Sequence, residues 1–176
     1  MKSSGITDVL IKGVIYLLIQ FLLLNNITLF GAAQAWVYIA LIINLPTNFS
    51  KTQGLVIAFC LGIVVDIFSN TLGMHTASAV LIAFLKPTVF NIFSSQISSS
   101  NNSEAEPLTI RTHGLSWFLM FAGSLIFIYN IAYYFIDAAG FNWFGFTLKK
   151  IILSSFFTLF TVVILQYIVY PSRSKR

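Results

Sequence analysis

The sequence predicts an all-α membrane protein: a polytopic bundle of about six transmembrane helices in one integral membrane domain over residues 1–176. Hydrophobic residues make up 57% of the chain and charged residues only 9%, whereas a soluble domain is about 25% charged. The apolar residues form continuous runs, as in 9–24 and 151–170, without the alternation of a membrane β-strand. So few charges cannot cover a protein surface in water, so the lipid bilayer is the expected solvent.

The first three predicted helices cover residues 9–30, 32–45 and 54–69. Ala33-Gln34-Ala35 resembles a signal-peptide cleavage site, but two asparagines interrupt the approach to it, so we expect an uncleaved first helix. The second segment stops before Pro46 and is short for a crossing, which needs about 17 residues. The pattern leaves open whether the short segments cross fully or are tilted or re-entrant.

The remaining predicted helices cover residues 72–86, 115–136 and 146–170. The fourth is expected to stop at Lys86-Pro87, because proline removes a backbone donor and disfavours a helical residue before it. Residues 88–113 form the longest polar interval, and 94–103 are almost all Ser, Asn and Gln. Such a segment buries too little apolar surface to order itself, so a flexible polar loop is predicted there.

The distribution of basic residues predicts the topology. Lys and Arg collect on the cytoplasmic side of membrane proteins. Six crossings place eight of the ten basic residues on the side of the two termini, and only Lys149 and Lys150 on the other. We therefore expect both termini in the cytoplasm, whereas five crossings would separate them. Cys60, the single cysteine, is expected to be a buried and inert thiol.

Asp66 and His75 are the most informative residues. Asp66 is the only acidic residue between Asp8 and Glu104, and a carboxylate at membrane depth requires a partner or water. A tight turn at residues 70–71 places Asp66 and His75 at the same level of two antiparallel helices, where a carboxylate–imidazole hydrogen bond is feasible. We interpret the pair as a structural clasp; a ligand or proton site and a partner contact remain as alternatives.

Glycines flank this pair. Gly62, one turn before Asp66, is expected to allow close helix approach, and Gly73 is expected to provide a permissive backbone where the next helix starts.

The sequence carries no recognisable catalytic, cofactor or metal motif, such as a P-loop, CxxC, HExxH or GxSxG. One Asp and one His are too few for a structural zinc site. Basic and aromatic residues are not interleaved as in proteins that bind single-stranded nucleic acid. We therefore predict a non-enzyme with no cofactor and no nucleic-acid partner. The many aromatic residues are expected to be lipid-facing bulk and interface anchors.

The hairpin sequence resembles the MreD family of bacterial rod shape-determining proteins. The resemblance rests on Gly62-x-x-x-Asp66, on Leu72-Gly73-Met74-His75, and on Ala83-Phe84-Leu85-Lys86-Pro87, and its specific part covers only about residues 62–87. Size, helix number and the basic tail also agree with the family. The polar loop is longer than expected for the family.

The resemblance implies a membrane scaffold subunit of the cell-elongation complex, which supports peptidoglycan synthesis. Its expected partners are MreC, MreB, RodA and the transpeptidase of RodA, and its expected location is the bacterial inner membrane. The implied fold is similar to that of the S-components of energy-coupling-factor vitamin transporters. S-components have a similar size, so a substrate-binding subunit of a vitamin or small-solute transporter is the alternative function.

Overall fold

The computed structural model describes residues 4–25, 27–29, 31, 33–94, 107–138 and 144–170. Over these residues the regular secondary structure is helical apart from one isolated β-bridge between Leu29 and Ala33. The helices are α1 (Ser4–Ile19, continued by a π-helical turn Gln20–Leu24), α2 (Ile39–Asn44), α3 (Lys51–Ser69), α4 (Met74–Ser94), α5 (Ile110–His113), α6 (Leu115–Ala138) and α7 (Phe144–Val169).

Five helical stretches in the described residues are long and apolar enough to cross a membrane: Thr7–Leu24, Lys51–Ser69, Met74–Ser94, Leu115–Ala138 and Phe144–Val169. The predicted helical membrane bundle is thus confirmed. The segment predicted as a helix over residues 32–45 is the exception, because only Ile39–Asn44 of it is helical.

The stretch from Ala33 to Leu45 lies inside the bundle, and almost all of its side chains are buried. Its irregular part obtains hydrogen bonds from neighbouring helices. Gln20 of the π-helical turn donates to the carbonyl of Ala35 at 3.1 Å and accepts from the N–H of Val37 at 2.8 Å. Non-helical backbone at membrane depth is tolerated where protein groups satisfy it in this way.

Helix α7 supplies further partners of this buried segment. The hydroxyls of Ser154 and Thr158 accept from the N–H groups of Gln34 and Trp36, at 3.1 and 3.2 Å. Three turns further along α7, the amide of Gln166 donates to the side chain of Asn44 at 2.7 Å. The buried segment therefore runs parallel to α7 through the bundle. Its irregular residues extend the short helix Ile39–Asn44 along α7.

The first half of α1 and the end of α7 lie at the same end of the bundle. The Lys12 ammonium stands 4.5 Å from the centroid of the Tyr170 ring, and it pairs with Asp8 at 2.7 Å. The tip of the α3–α4 hairpin lies towards the opposite end, because His75, directly after the tip, packs against Tyr133 late in α6 with ring centroids 4.6 Å apart.

The helix boundaries differ from the sequence prediction in three main places. The first helix, predicted over residues 9–30, ends with the π-helical turn at Leu24, and Leu29 lies in the β-bridge, so the predicted end at residue 30 is wrong. Helix α4 continues through Lys86 and Pro87 to Ser94, so the predicted stop at residue 86 is wrong. Membrane helices tolerate proline because neighbouring groups can satisfy the freed carbonyl. The predicted loop over 88–113 is shorter accordingly: its first residues extend α4, its last residues include α5, and 95–106 lie outside the described residues.

The prediction that Cys60 is buried is also wrong. Its side chain is exposed on the outer surface of α3. A position in an apolar run does not distinguish the lipid-facing side of a membrane helix from its packed side, because both are apolar.

Candidate functional site

Helices α3 and α4 cross closely at Gly62. A Cβ atom on this glycine would stand 2.4 Å from the Cα of Thr76, so only glycine fits. The predicted role of Gly62 in close helix approach is thus confirmed. The short distance between the two backbones sets the position of Asp66, one turn later, against the start of α4.

The turn between the helices has two left-handed residues. Asn70 ends α3 with φ 54°, and Gly73 has φ +80° directly before α4. Asparagine and glycine are the residues that adopt this region most readily. The N–H of Thr71 donates back to the carbonyl of Asp66 at 3.0 Å, which closes the end of α3. The prediction of a permissive backbone at Gly73 is confirmed.

The Asp66 carboxylate caps the start of α4. The backbone N–H groups of His75 and Thr76 donate to it at 3.1 and 2.9 Å. The hydroxyls of Thr71 and Thr76 donate at 2.5 and 2.6 Å. The first N–H groups of a helix have no partner within it and carry partial positive charge, so a carboxylate placed there is stabilised. Asp66 is only 6% exposed, and these four donors explain how its charge is accommodated.

The predicted hydrogen bond between the Asp66 carboxylate and the His75 imidazole is therefore wrong in its atoms. Asp66 bonds the backbone of His75, not its ring. The spacing does place the two residues at the same level, as predicted. Because α4 begins at Met74, the N–H of His75 faces the end of α3 while its side chain points into the bundle.

The His75 imidazole lies among hydroxyl groups of other elements and is 0% exposed. Its Nδ1 stands 2.6 Å from the hydroxyl of Tyr129 on α6 and 3.4 Å from that of Tyr38, just before α2. The two tyrosine hydroxyls are 2.7 Å apart. This triangle joins α4, α6 and the buried segment through polar atoms.

Aromatic rings enclose the same imidazole. Its centroid lies 4.5 Å from that of Trp36, in an edge contact, and 4.6 Å from that of Tyr133. Nε2 of His75 and Nε1 of Trp36 are buried without a hydrogen-bond partner among the described residues. The ring is thus held tightly on one nitrogen and surrounded by apolar faces on the other.

The sequence analysis missed the tyrosines and Trp36, which it treated as lipid-facing bulk and interface anchors. Tyr38, Tyr129, Tyr133 and Trp36 are instead buried. One signal could have identified two of them: Tyr129 and Tyr133 are one turn apart in an apolar helix and so share a face. A polar-tipped face in a membrane helix points towards protein more readily than towards lipid.

The remaining residues of the predicted motif have separate places. Leu72 is 100% exposed at the tip of the hairpin. Pro87 lies almost four turns along α4, in the wall of a pocket at the other end of the hairpin. The structure thus brings together Gly62, Asp66, Gly73 and His75, and leaves Leu72 and Pro87 apart from them.

The hydrogen bonds of this arrangement chiefly hold the end of α3 to the start of α4. The lone pairs of Asp66 accept four hydrogen bonds, and the nearby hydroxyls of Thr71 and Thr76 are donors to it. Among the described residues, no three His, Cys, Asp or Glu side chains come close enough to hold a metal ion.

Comparison with known proteins adds no family: no family model, no curated protein and no solved structure matches this chain. The class that the fold and the site define is that of a helical membrane protein with a capped α3–α4 hairpin.

Proposed function

We propose that this chain is a non-enzymatic scaffold subunit of the bacterial cell-elongation complex, a protein of the MreD kind that binds MreC and supports MreB, RodA and the transpeptidase of RodA. The observation that carries the proposal is the use of the motif residues. Gly62, Asp66 and His75 make contacts within the chain, and Gly73 forms the turn before α4, which fits a role in shaping a surface rather than in binding a substrate.

Leu72 is the motif residue best suited to meet a partner. It is fully exposed at the hairpin tip, where the cap on α4 and the left-handed turn hold the backbone in place. Exposed Phe68 and Ile67 extend the apolar surface from Leu72 down the outer side of α3. In this proposal the tip contacts MreC. Because the backbone of the tip is already ordered, binding costs less conformational entropy.

The proposed orientation places the termini in the cytoplasm of a bacterial inner-membrane protein. The bundle end that carries the start of α1 and the end of α7 would then face the cytoplasm, and the hairpin tip would face the opposite side. The excess of Lys and Arg in the segments at the terminal end supports this orientation. A reporter fused after Arg176 is expected to report the cytoplasm.

Affinity purification in mild detergent tests the function. We expect MreC to co-purify with the chain, and depletion of the protein is expected to turn rod-shaped cells round. Leu72→Asn is expected to reduce MreC recovery, whereas Leu148→Asn, an exposed leucine of α7 towards the same end of the bundle, leaves it unchanged.

Unchanged cell shape together with absence of MreC would overturn the scaffold function. Retention of a vitamin-like solute on purification, with uptake of that solute by vesicles, would instead establish the transporter-subunit alternative.

A further inference from the structure

A half-open pocket of about 240 Å³ lies at the end of the hairpin opposite the tip. It is formed by the turn after α2, the start of α3 and the second half of α4. Its walls are mostly apolar and include Ile42, Leu45, Phe49, Ala83, Phe90 and Leu108. Two lysines, Lys51 and Lys86, line the same pocket.

The two ammonium groups are not neutralised by any described carboxylate. Lys86 donates to the carbonyl of Leu45, a neutral group. The ion pairs in the described residues are Lys12 with Asp8 and Lys150 with Asp137, and neither pair lines this pocket. Glu104 and Glu106 lie outside the described residues. A half-buried cation without a countercharge in an apolar pocket favours an anionic occupant.

The pocket is at the level of a membrane interface. Lys51 is the first residue of α3, and Phe90 in the pocket wall packs edge-on against Trp117, with ring centroids 5.9 Å apart. The Trp117 indole donates to the carbonyl of Phe93, next to the end of α4, and its ring stacks on His113 at 4.4 Å. Tryptophan near the ends of spanning helices is typical of the headgroup region.

Lys86 is deeper than Lys51. It lies eight residues before the end of α4, which corresponds to about 12 Å along the helix axis. A lysine at this depth extends its ammonium towards the interface while its methylene groups stay among apolar side chains. Lys51 and Lys86 therefore line one pocket from two depths, Lys51 at the helix end and Lys86 further along the hairpin.

We propose that this pocket binds an anionic phospholipid, with the phosphate between Lys51 and Lys86 and an acyl chain against the apolar wall that includes Phe49 and Phe90. Basic pockets between membrane helices bind the headgroups of anionic lipids. A lipid fits better than an acidic peptide because most of the wall is apolar. A zwitterionic headgroup carries its own cation, which the two lysines would repel.

Native mass spectrometry of the purified full-length protein tests this site. The protein is titrated in detergent with dioleoyl phosphatidylglycerol or, separately, with dioleoyl phosphatidylcholine. We expect clear preference for phosphatidylglycerol and about twenty-fivefold weaker binding of it in Lys51→Gln/Lys86→Gln, from roughly fivefold per lysine. Lys149→Gln/Lys150→Gln makes the same charge change near the other end of the bundle and is expected to leave this binding unchanged.

A single-lysine variant and a competitor, inorganic phosphate, complete the test. Lys51→Gln alone changes an exposed residue, so folding is retained, and about fivefold weaker binding is expected. Inorganic phosphate at matched concentration should not displace the lipid, because it cannot fill the apolar wall. Equal binding of the two lipids, or unchanged phosphatidylglycerol binding in the double lysine variant, would overturn the proposal. Loss of MreC co-purification from that variant, with lipid binding unchanged, would also overturn the proposal and would indicate a protein occupant of the pocket. Absence of MreC from the wild-type purification would bear only on the scaffold function.

Discussion

The charged groups at the two ends of the α3–α4 hairpin have different surroundings. At the tip end, the Asp66 carboxylate has four donors, and the helices touch at Gly62. At the other end, Lys51 and Lys86 line an open, mostly apolar pocket and have no carboxylate partner among the described residues. At the tip end the charge is satisfied within the chain and holds the two helices together, whereas at the other end the two lysine charges are available to the anionic lipid proposed above.

Substitution of Gly62 is the strongest test of the closed end. Gly62→Ala places a Cβ 2.4 Å from the backbone of Thr76, so the helices must separate. We expect a loss of about 3 kcal/mol in the free energy of unfolding. The measurement is unfolding of the protein in mixed micelles with a denaturing detergent.

Gly54→Ala is the matched control on the same helix, because its Cβ would meet no atom within 4 Å. Its unfolding free energy should stay the same or rise by up to about 1 kcal/mol, since alanine favours helix over glycine. Equal effects of the two substitutions would mean that the close crossing is not what holds the hairpin.

Removal of the Asp66 cap is expected to have the next largest effect. Asp66→Ala leaves buried donors of His75 and Thr76 without an acceptor, and we expect a loss of about 2 kcal/mol. Asp66→Asn keeps one acceptor oxygen and should lose about half as much. Thermal unfolding followed by size-exclusion fluorescence ranks the variants; indistinguishable wild-type and Asp66→Ala proteins would refute the cap.

The hydroxyl triangle around His75 should contribute less. Tyr129→Phe keeps the ring but removes the hydroxyl that lies 2.6 Å from Nδ1 of His75 and 2.7 Å from the Tyr38 hydroxyl. We expect a loss of about 1 kcal/mol in the same unfolding measurement. Tyr167→Phe, at an exposed position of α7, is the control and should change stability by less than about 0.5 kcal/mol. A larger effect at Tyr167 than at Tyr129 would contradict this assignment.

Leu72 should have the smallest effect on stability. Because its side chain is fully exposed, Leu72→Asn should change the unfolding free energy by less than about 0.5 kcal/mol. The same unfolding series measures it. A loss comparable to that of Asp66→Ala would show that the hairpin tip packs within the molecule and is not free for a partner.

Composition and continuous apolar runs were sufficient to predict the class of fold, because the bilayer demands internally bonded helices. They were insufficient for the segment before Pro46. Its irregular backbone is stabilised by Gln20, Ser154 and Thr158, which come from distant parts of the chain, and a local pattern cannot show such partners. The continuation of α4 through Pro87 was missed because proline was taken to end the helix, although membrane helices tolerate it.

The site was partly predictable. The spacing of Asp66 and His75 about a turn, and the roles of Gly62 and Gly73, follow from local geometry. The direction of each side chain does not, because it depends on where α4 begins. Because α4 begins at Met74, the backbone N–H of His75 faces Asp66.

The most direct test of the cap is a pair of double-mutant cycles. One combines Asp66→Ala with Thr76→Val, and the other combines Asp66→Ala with His75→Phe, which keeps the backbone N–H. The cap predicts a coupling energy above about 0.5 kcal/mol between Asp66 and the Thr76 hydroxyl, and near additivity between Asp66 and the His75 ring. Stronger coupling of Asp66 to the His75 ring than to Thr76 would contradict it.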